Sequence, residues 1–456
     1  FFNSIFINII MKIHFIAIGG SIMHALAIDL KNQGHIISGS DDVIYEPSKS
    51  NLLNAGILPS EEGWFKNKIT SDIDFIILGM HAKKDNPELL AAQHKKIKIF
   101  SFPEFVSLKS KKKFKVVIAG SHGKTTITSM IMHVLKKNNI LFDYLVGAKI
   151  NGFDNMVSLS DNKIMIIEGD EYLSSKIDMR PKFLHYKADL LIISGISWDH
   201  INIYPTFSSY CNVFEDLLKK TPKKSTVFYC ENDIGLKKIV RKNFSNNQGY
   251  SLPKYGIENG KCFIENEKKR FELSIFGDHN LYNLQAASLV CEKLGLERQV
   301  FLNSITSFLG ADKRLRLLGS LAKKNNVYLD FAHSPSKVAA SVQAVKDLYP
   351  DRLLISCLEL HSFSSLNLDF IPEYADSFKF ADHVCIYYSP EELRRKNLKF
   401  FSKKDLSFLI NNEKLSVFDS SNELEEFIIK ENWNNKNLLL MSSGNFNGLN
   451  IKKLIQ

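Results

Sequence analysis

No two cysteines stand three positions apart in this chain of 456 residues. The six, Cys211, Cys230, Cys262, Cys291, Cys357 and Cys385, are widely spaced, so neither a zinc site nor a Cys-x-x-Cys redox pair is indicated. Most lie in apolar surroundings, as the packed thiols of a cytoplasmic protein do. No run of some twenty apolar residues occurs, so no membrane-spanning helix is expected. The basic residues form no stripe. The formal charge of +10 comes from 59 Lys and Arg against 49 Asp and Glu, scattered apart from Lys109-Ser110-Lys111-Lys112-Lys113. A nucleic-acid interface is therefore not expected. There is no internal repeat and no low-complexity segment. What remains is an ordinary globular composition, 45% hydrophobic and 24% charged, long enough for about three domains.

Residues Phe1 to Ile10 are apolar but have no basic start and no small-residue cleavage site, so a signal peptide is not indicated. They read as an upstream extension, with Met11 as the start.

The most informative stretch is Gly120-Ser121-His122-Gly123-Lys124-Thr125-Thr126. It follows the apolar run Val116-Val117-Ile118 and precedes a helical pattern from Ile127 to Leu135. Strand, Gly-rich turn and helix start make an anion site, because free amides and the helix dipole point at the turn. Gly120 and Gly123 admit phosphate closely, Lys124 reaches the outer phosphates, and the Thr125 hydroxyl suits Mg²⁺. The spacing is a shortened P-loop, Gly-x-x-Gly-Lys-Thr.

Other strand ends carry polar residues. Lys12 to Ile18 reads as a strand, turned by Gly19-Gly20 into a helix reaching about Gln33. A second strand, His35 to Gly39, ends in Ser40-Asp41, which is Rossmann-like spacing without the full glycine fingerprint. That turn alone would also suit a nucleotide-dependent oxidoreductase. Asp74 to Leu78 is followed by Gly79-Met80-His81, and Asn86-Pro87 opens a helix. Lys109 to Lys113 reads as a solvated linker. Lys163 to Ile167 ends in Glu168-Gly169-Asp170-Glu171-Tyr172, and Asp189 to Ser194 leads to Asp199-His200. In a parallel sheet these ends lie where ligands bind, so a carboxylate and a histidine there would join Thr125 around Mg²⁺. His279, Asn280 and Asn283 fall near one helix start, where amides suit a base or ribose. Further strands are read at 327–330, 352–358, 382–388 and 437–441. The alternation of strands and helices gives an α/β fold.

Taken together, the motifs resemble the Mur ligase family of ATP-dependent carboxylate–amine ligases of peptidoglycan synthesis. The resemblance rests on residues 120–126, 168–172, Asp199-His200, Gly-Asp-His-Asn-x-x-Asn at 277–283, Arg314 and Asp-Phe-Ala-His-Ser-Pro at 330–335. It implies three domains: a Rossmann-like UDP-sugar domain (11–112), a central P-loop domain (113–316) and a Rossmann-like C-terminal domain for the amine (317–456). It implies ATP and Mg²⁺, with Lys124, Glu168, His200 and Arg314 catalytic and Thr125, Glu168 and His200 on the metal. Gly120, Ser121, His122, Gly123, Lys124, Thr125, Thr126, Asn280, Arg314 and Asp330 would contact ATP. Gly19, Gly20, Ser40, Asp41 and His81 would form the UDP-sugar pocket, and His122 would face the lactyl carboxylate. The N-terminal motifs are similar to the members that use UDP-N-acetylmuramate itself. Residues 168–172 and Met441 to Gly448 are nearer the recycling members, which attach L-alanyl-γ-D-glutamyl-meso-diaminopimelate through an acyl phosphate. The alternative amine is L-alanine. The chain departs from the family pattern at Gly195 and Ser197 (usually Asn and Glu), Lys313 (Arg) and Ser334 (His).

Overall fold

The computed structural model describes residues 10–198, 203–310, 314–450 and 455. They fall into two compact units, Phe1–Ser251 with Asn283–Phe301, and Leu252–Tyr282 with Leu302–Gln456.

The first unit holds two sheets. One is parallel, built from β1 (Lys12–Ile16), β2 (Ile36–Ser40), β3 (Phe75–Leu78) and β4 (Lys98–Ser101) in the order β2-β1-β3-β4. β3 is buried along its whole length, as a parallel strand covered on both faces must be. The apolar residues Ile16, Ile69, Ile76, Leu78, Leu89 and Ala92 form the core on one side. β1 stops two residues short of the expected Ile18, because Ala17 takes φ 68° and turns the chain. The amides of Ala17 and Ile18 then both donate to the Ser40 carbonyl, at 2.9 and 3.1 Å. The helix Pro87–His94 begins as expected: the Asn86 side chain accepts from the amides of Glu88 and Leu89.

The second sheet contains β5 (Phe114–Ala119), β6 (Asp143–Leu145), β7 (Val157–Ser158), β8 (Ile164–Glu168), β9 (Leu190–Ile193), β10 (Thr226–Cys230) and β11 (Asn247–Tyr250). Their order is β11-β10-β9-β5-β8-β6-β7, so β5 is central, with β8 on one side and β9 on the other. The helix Lys124–Lys137 follows β5. Its buried residues run almost unbroken from Thr126 to Leu135, and Lys136 and Lys137 oppose the negative helix end.

In the Lys109–Lys113 stretch Lys111 and Lys112 are exposed, as expected of a solvated linker, but Lys113 is not. The Lys113 side chain is only 8% exposed, and its ammonium lies 2.6 Å from the buried Asp143 carboxylate. It also donates to the carbonyls of Ser160 and Asn162. Four positive charges in five residues look hydrophilic, but a buried carboxylate recruits one of them.

The second unit carries a small antiparallel sheet of β12 (Gly256–Glu258), β13 (Lys261–Asn266) and β14 (Lys269–Leu273). Its main sheet comprises β15 (Arg316–Gly319), β16 (Val327–Asp330), β17 (Leu353–Leu360), β18 (His383–Tyr388), β19 (Leu415–Phe418) and β20 (Lys436–Met441). The order is β15-β16-β20-β17-β18-β19, parallel except for β15. Alternate residues Ile355, Cys357, Cys385, Tyr387, Leu438 and Leu440 face one core with Trp433 and Phe446. All six cysteines are free thiols, and all but Cys211 are buried. Among the described residues no helix is long and apolar enough to cross a membrane.

Candidate active site

β5 delivers the chain into the 120–126 turn, and the neighbouring strand ends brace it. The Gly169 amide donates to the Ile118 carbonyl at 2.8 Å, and the Ser121 amide donates to the Gly195 carbonyl at 2.9 Å. Both glycines of the turn are required by geometry. Gly120 has φ 122°, and a Cβ there would strike Ser194. Gly123 has φ 75°, and its Cβ would run into the Asn283 side chain. The Ser121 hydroxyl oxygen is buried with no hydrogen-bond partner. A glycine-lined turn at a helix start, with an unspent buried hydroxyl, fits a phosphate.

Lys124 and Thr125 follow as the first residues of the helix. Lys124 Nζ donates to the Gly120 carbonyl at 2.5 Å and reaches both Glu171 oxygens, at 2.9 and 3.2 Å. Thr125 Oγ1 donates to Glu168 Oε1 at 2.8 Å, and Glu168 Oε2 accepts from the Gly147 amide at 3.0 Å. Burial pushes the Glu168 carboxyl above the usual range, partly offset by those two hydrogen bonds and by Lys124. Thr125 and Glu168 offer hard oxygens side by side, the donor type Mg²⁺ takes. His200, the expected third ligand, lies outside the described residues, as do Asp199 and Lys313. Thr126 is buried, and His122 is half-buried with Nδ1 2.7 Å from the Ser121 carbonyl.

In the Rossmann-like turn a side chain adds to the main-chain bonds. The Gly19 amide donates to Asp41 Oδ2 at 2.7 Å, and a Cβ at Gly19 would lie 2.9 Å from the same oxygen. Burial and the adjacent Asp42 raise the Asp41 carboxyl to about 7. Gly20 precedes the helix Ser21–Asn32, Ser40 is buried at the end of β2, and His81 is exposed after β3.

Asn280, Arg314 and Asp330 belong to the second unit. Asn280 Nδ2 donates to the Phe276 carbonyl at 3.0 Å, which serves the helix start. The Arg314 guanidinium sits 4.7 Å from the Phe331 ring centre. Asp330 Oδ1 accepts from the Leu315 and Phe331 amides, and Oδ2 accepts from the Ser341 hydroxyl. Burial holds His279 below its ordinary value, against the pull of Asp330 and Asp278.

Two groupings lie apart from these residues. Glu104, Asp178 and His185 converge closely enough to suit a metal, but Arg180 already pairs with Glu104 at 3.2 Å and Asp178 at 2.8 Å. A cavity of about 450 Å³ is lined by Lys98, Phe100, Lys111, Lys115 and Tyr186, and holds none of the expected site residues.

The Mur ligase family catalytic domain matches residues 12–113, and the Mur ligase middle domain matches residues 118–291. The chain belongs to the Mur ligase family. Mur ligases are ATP-dependent enzymes that form peptide bonds in peptidoglycan synthesis, and this chain is one of them. It is 31% identical to a UDP-N-acetylmuramate–L-alanine ligase of Caldicellulosiruptor bescii, over 82% of this chain and 83% of that protein. It is 28% identical to the Escherichia coli UDP-N-acetylmuramate–L-alanyl-γ-D-glutamyl-meso-2,6-diaminoheptandioate ligase, over 74% and 76%. The UDP-N-acetylmuramate–alanine ligase structure from Thermotoga maritima has the same three-domain fold, with TM-score 0.69, 20% identity and 96% of each chain covered.

Sequence reasoning passed over two residues of the site, Glu171 and Tyr210. Glu171 stands in the same motif as Glu168, but only its position in the fold brings it to Lys124.

Proposed function

We propose that this Mur ligase joins the lactyl carboxylate of UDP-N-acetylmuramate to free L-alanine. Three relatives named for that reaction match at 31%, 30% and 27% identity over 82%, 82% and 91% of the chain. The structural observation that carries the reading is the hydrogen bonding of the 359–365 and 441–448 segments. A tripeptide, with several carboxylates, needs open donors there. Instead Ser442 Oγ donates to Glu359, the Phe446 amide donates to the same carboxylate at 2.8 Å, and the Gly444 amide donates to Ser442. Asn445 caps the Gly448 amide, and Ser362 and Ser365 bond one another. These small polar side chains form turns. The shielded Ser334 and Ser443 hydroxyls, which follow the paired strands β16 and β20, keep their capacity. Two hydroxyls suit a small zwitterion.

With domains at 11–112, 113–316 and 317–456, the roles divide as follows. Gly19, Gly20, Ser40, Asp41 and His81 hold the UDP-sugar, and His122 faces its carboxylate. Bound ATP supplies the phosphoryl group that turns this unreactive carboxylate into an acyl phosphate. The 120–126 amides and Lys124 hold the phosphates and balance their charge. Thr125, Glu168 and His200 hold Mg²⁺, while Asn280, Arg314 and Asp330 contact the nucleotide. The amine then attacks the carbonyl carbon, and phosphate leaves.

Attachment of the tripeptide is the second reading, favoured by the 168–172 and 441–448 motifs. An ADP-release assay with UDP-N-acetylmuramate and each amine separately decides. A higher kcat/KM with L-alanine is expected; a higher value with the tripeptide replaces this reading by the second.

A further inference from the structure

The P-loop lysine is already fully engaged. An ammonium has three N–H donors, and Lys124 Nζ has three acceptors within reach: the Gly120 carbonyl and both oxygens of Glu171. Glu171 is fully buried, and its Oε1 also accepts from Tyr210 Oη at 3.0 Å. Tyr210 is itself fully buried, on the helix Phe207–Lys220, and Tyr204 Oη donates to the Glu171 carbonyl at 2.5 Å. Tyr204 therefore holds the Glu171 main chain, and Tyr210 holds its carboxylate, which is aimed at the lysine. The neighbouring Asp170 is turned to Lys182 instead, at 2.6 Å.

We propose that Glu171 is a positioning residue: it occupies Lys124 in place of phosphate and must give the ammonium up when nucleotide binds, with Tyr210 fixing its orientation. The inference rests on the reading of 120–126 as the ATP phosphate site. A phosphate can reach Lys124 only by displacing one of the three acceptors. The Gly120 carbonyl is neutral and part of the turn. Glu171 is anionic, and its closeness to incoming phosphate is repulsive, so it is the acceptor that yields. In the absence of nucleotide the same carboxylate keeps a buried ammonium paired, and an unpaired buried charge is strongly destabilising. Burial alone would lower the Lys124 pKa, but Glu171 together with Asp170 and Glu168 outweighs it and the net direction is upward. On nucleotide binding the lysine would change partner.

An internal competitor lowers apparent affinity by the fraction of molecules in which the site is free. If that fraction is about one in ten, Glu171→Gln, which keeps the acceptor for Tyr210 but removes the charge, tightens binding about tenfold. The measurement is calorimetric titration of the full chain with a non-hydrolysable ATP analogue and Mg²⁺, alongside KM for ATP. Glu171→Gln is expected to lower both Kd and KM, and to lower the melting temperature of the nucleotide-free protein more than that of the nucleotide-bound protein. Tyr210→Phe, a milder change, is expected to shift Kd in the same direction by less. Unchanged or weaker nucleotide binding in Glu171→Gln overturns the proposal. If that variant does not fold, unchanged or weaker binding by Tyr210→Phe does so. Failure of the wild-type protein to bind the analogue instead removes the ATP reading of the turn, and this proposal with it.

Discussion

Thr125 Oγ1 and Glu168 Oε1 are joined by a 2.8 Å hydrogen bond between the first turn of the P-loop helix and the last residue of β8. The two strands behind them are paired with Ile118 opposite Glu168, so the carboxylate arrives beside the loop by register alone. A divalent cation would find both oxygens in place, and the Thr125 hydroxyl would have only to turn its proton away from Glu168.

Removing either oxygen should therefore raise the Mg²⁺ requirement. For Thr125→Ala and for Glu168→Ala, the Mg²⁺ concentration at half-maximal rate is expected to rise about tenfold or more, the scale on which metal sites respond to such losses. A titration of rate against Mg²⁺ reads this directly. An unchanged midpoint in both variants makes the pair structural.

Asp29 carries a pH dependence. It accepts from the Leu159 amide at 3.0 Å and from Gln33 at 2.8 Å, and burial raises its carboxyl to about 7. Between the ordinary carboxylate value and about 7, the folded chain binds a proton that the unfolded chain lacks. Stability from this group is therefore lost as pH rises through that window. Asp29→Asn retains an acceptor and removes the charge. Its melting temperature should exceed that of the parent at pH 8, and the gap should narrow toward pH 4. A gap that widens on acidification would contradict the assignment.

Lys113 should behave as a buried ion-pair partner. Lys113→Met leaves the Asp143 carboxylate without its cation, although Ser160 and Asn162 still donate to it. Loss of one partner of a buried pair costs about 3–5 kcal/mol. Chemical denaturation is the check, and a loss as small as that of an exposed lysine would show the pair to be dispensable.

The sequence was readable where physics is local. The apolar runs around β3, β5, β8 and β9 could only be covered strands, and Gly120 and Gly123 announced a turn that no other residue could make. The Asn86-Pro87 helix start was legible for the same reason. Partnerships across the chain were not. Glu171 meets a tyrosine 39 positions away, and Lys113 meets an aspartate 30 positions away; in sequence each reads as one more solvated charge. The small sheet β12–β14 also gave little signal, because β13 mixes Lys, Glu and Asn with Cys262 and Ile264. The choice of amine was read from motif likeness, and the hydrogen bonds of Ser442 and Asn445 weigh on the other side.

The Gly195 carbonyl, which accepts the Ser121 amide, has a consequence for how this chain tolerates change. The brace on the phosphate turn is a main-chain group, and every amino acid carries one. What only glycine carries without strain is the φ of 156° that aims this carbonyl, so a side chain at 195 would disturb the loop through the backbone rather than through any contact of its own.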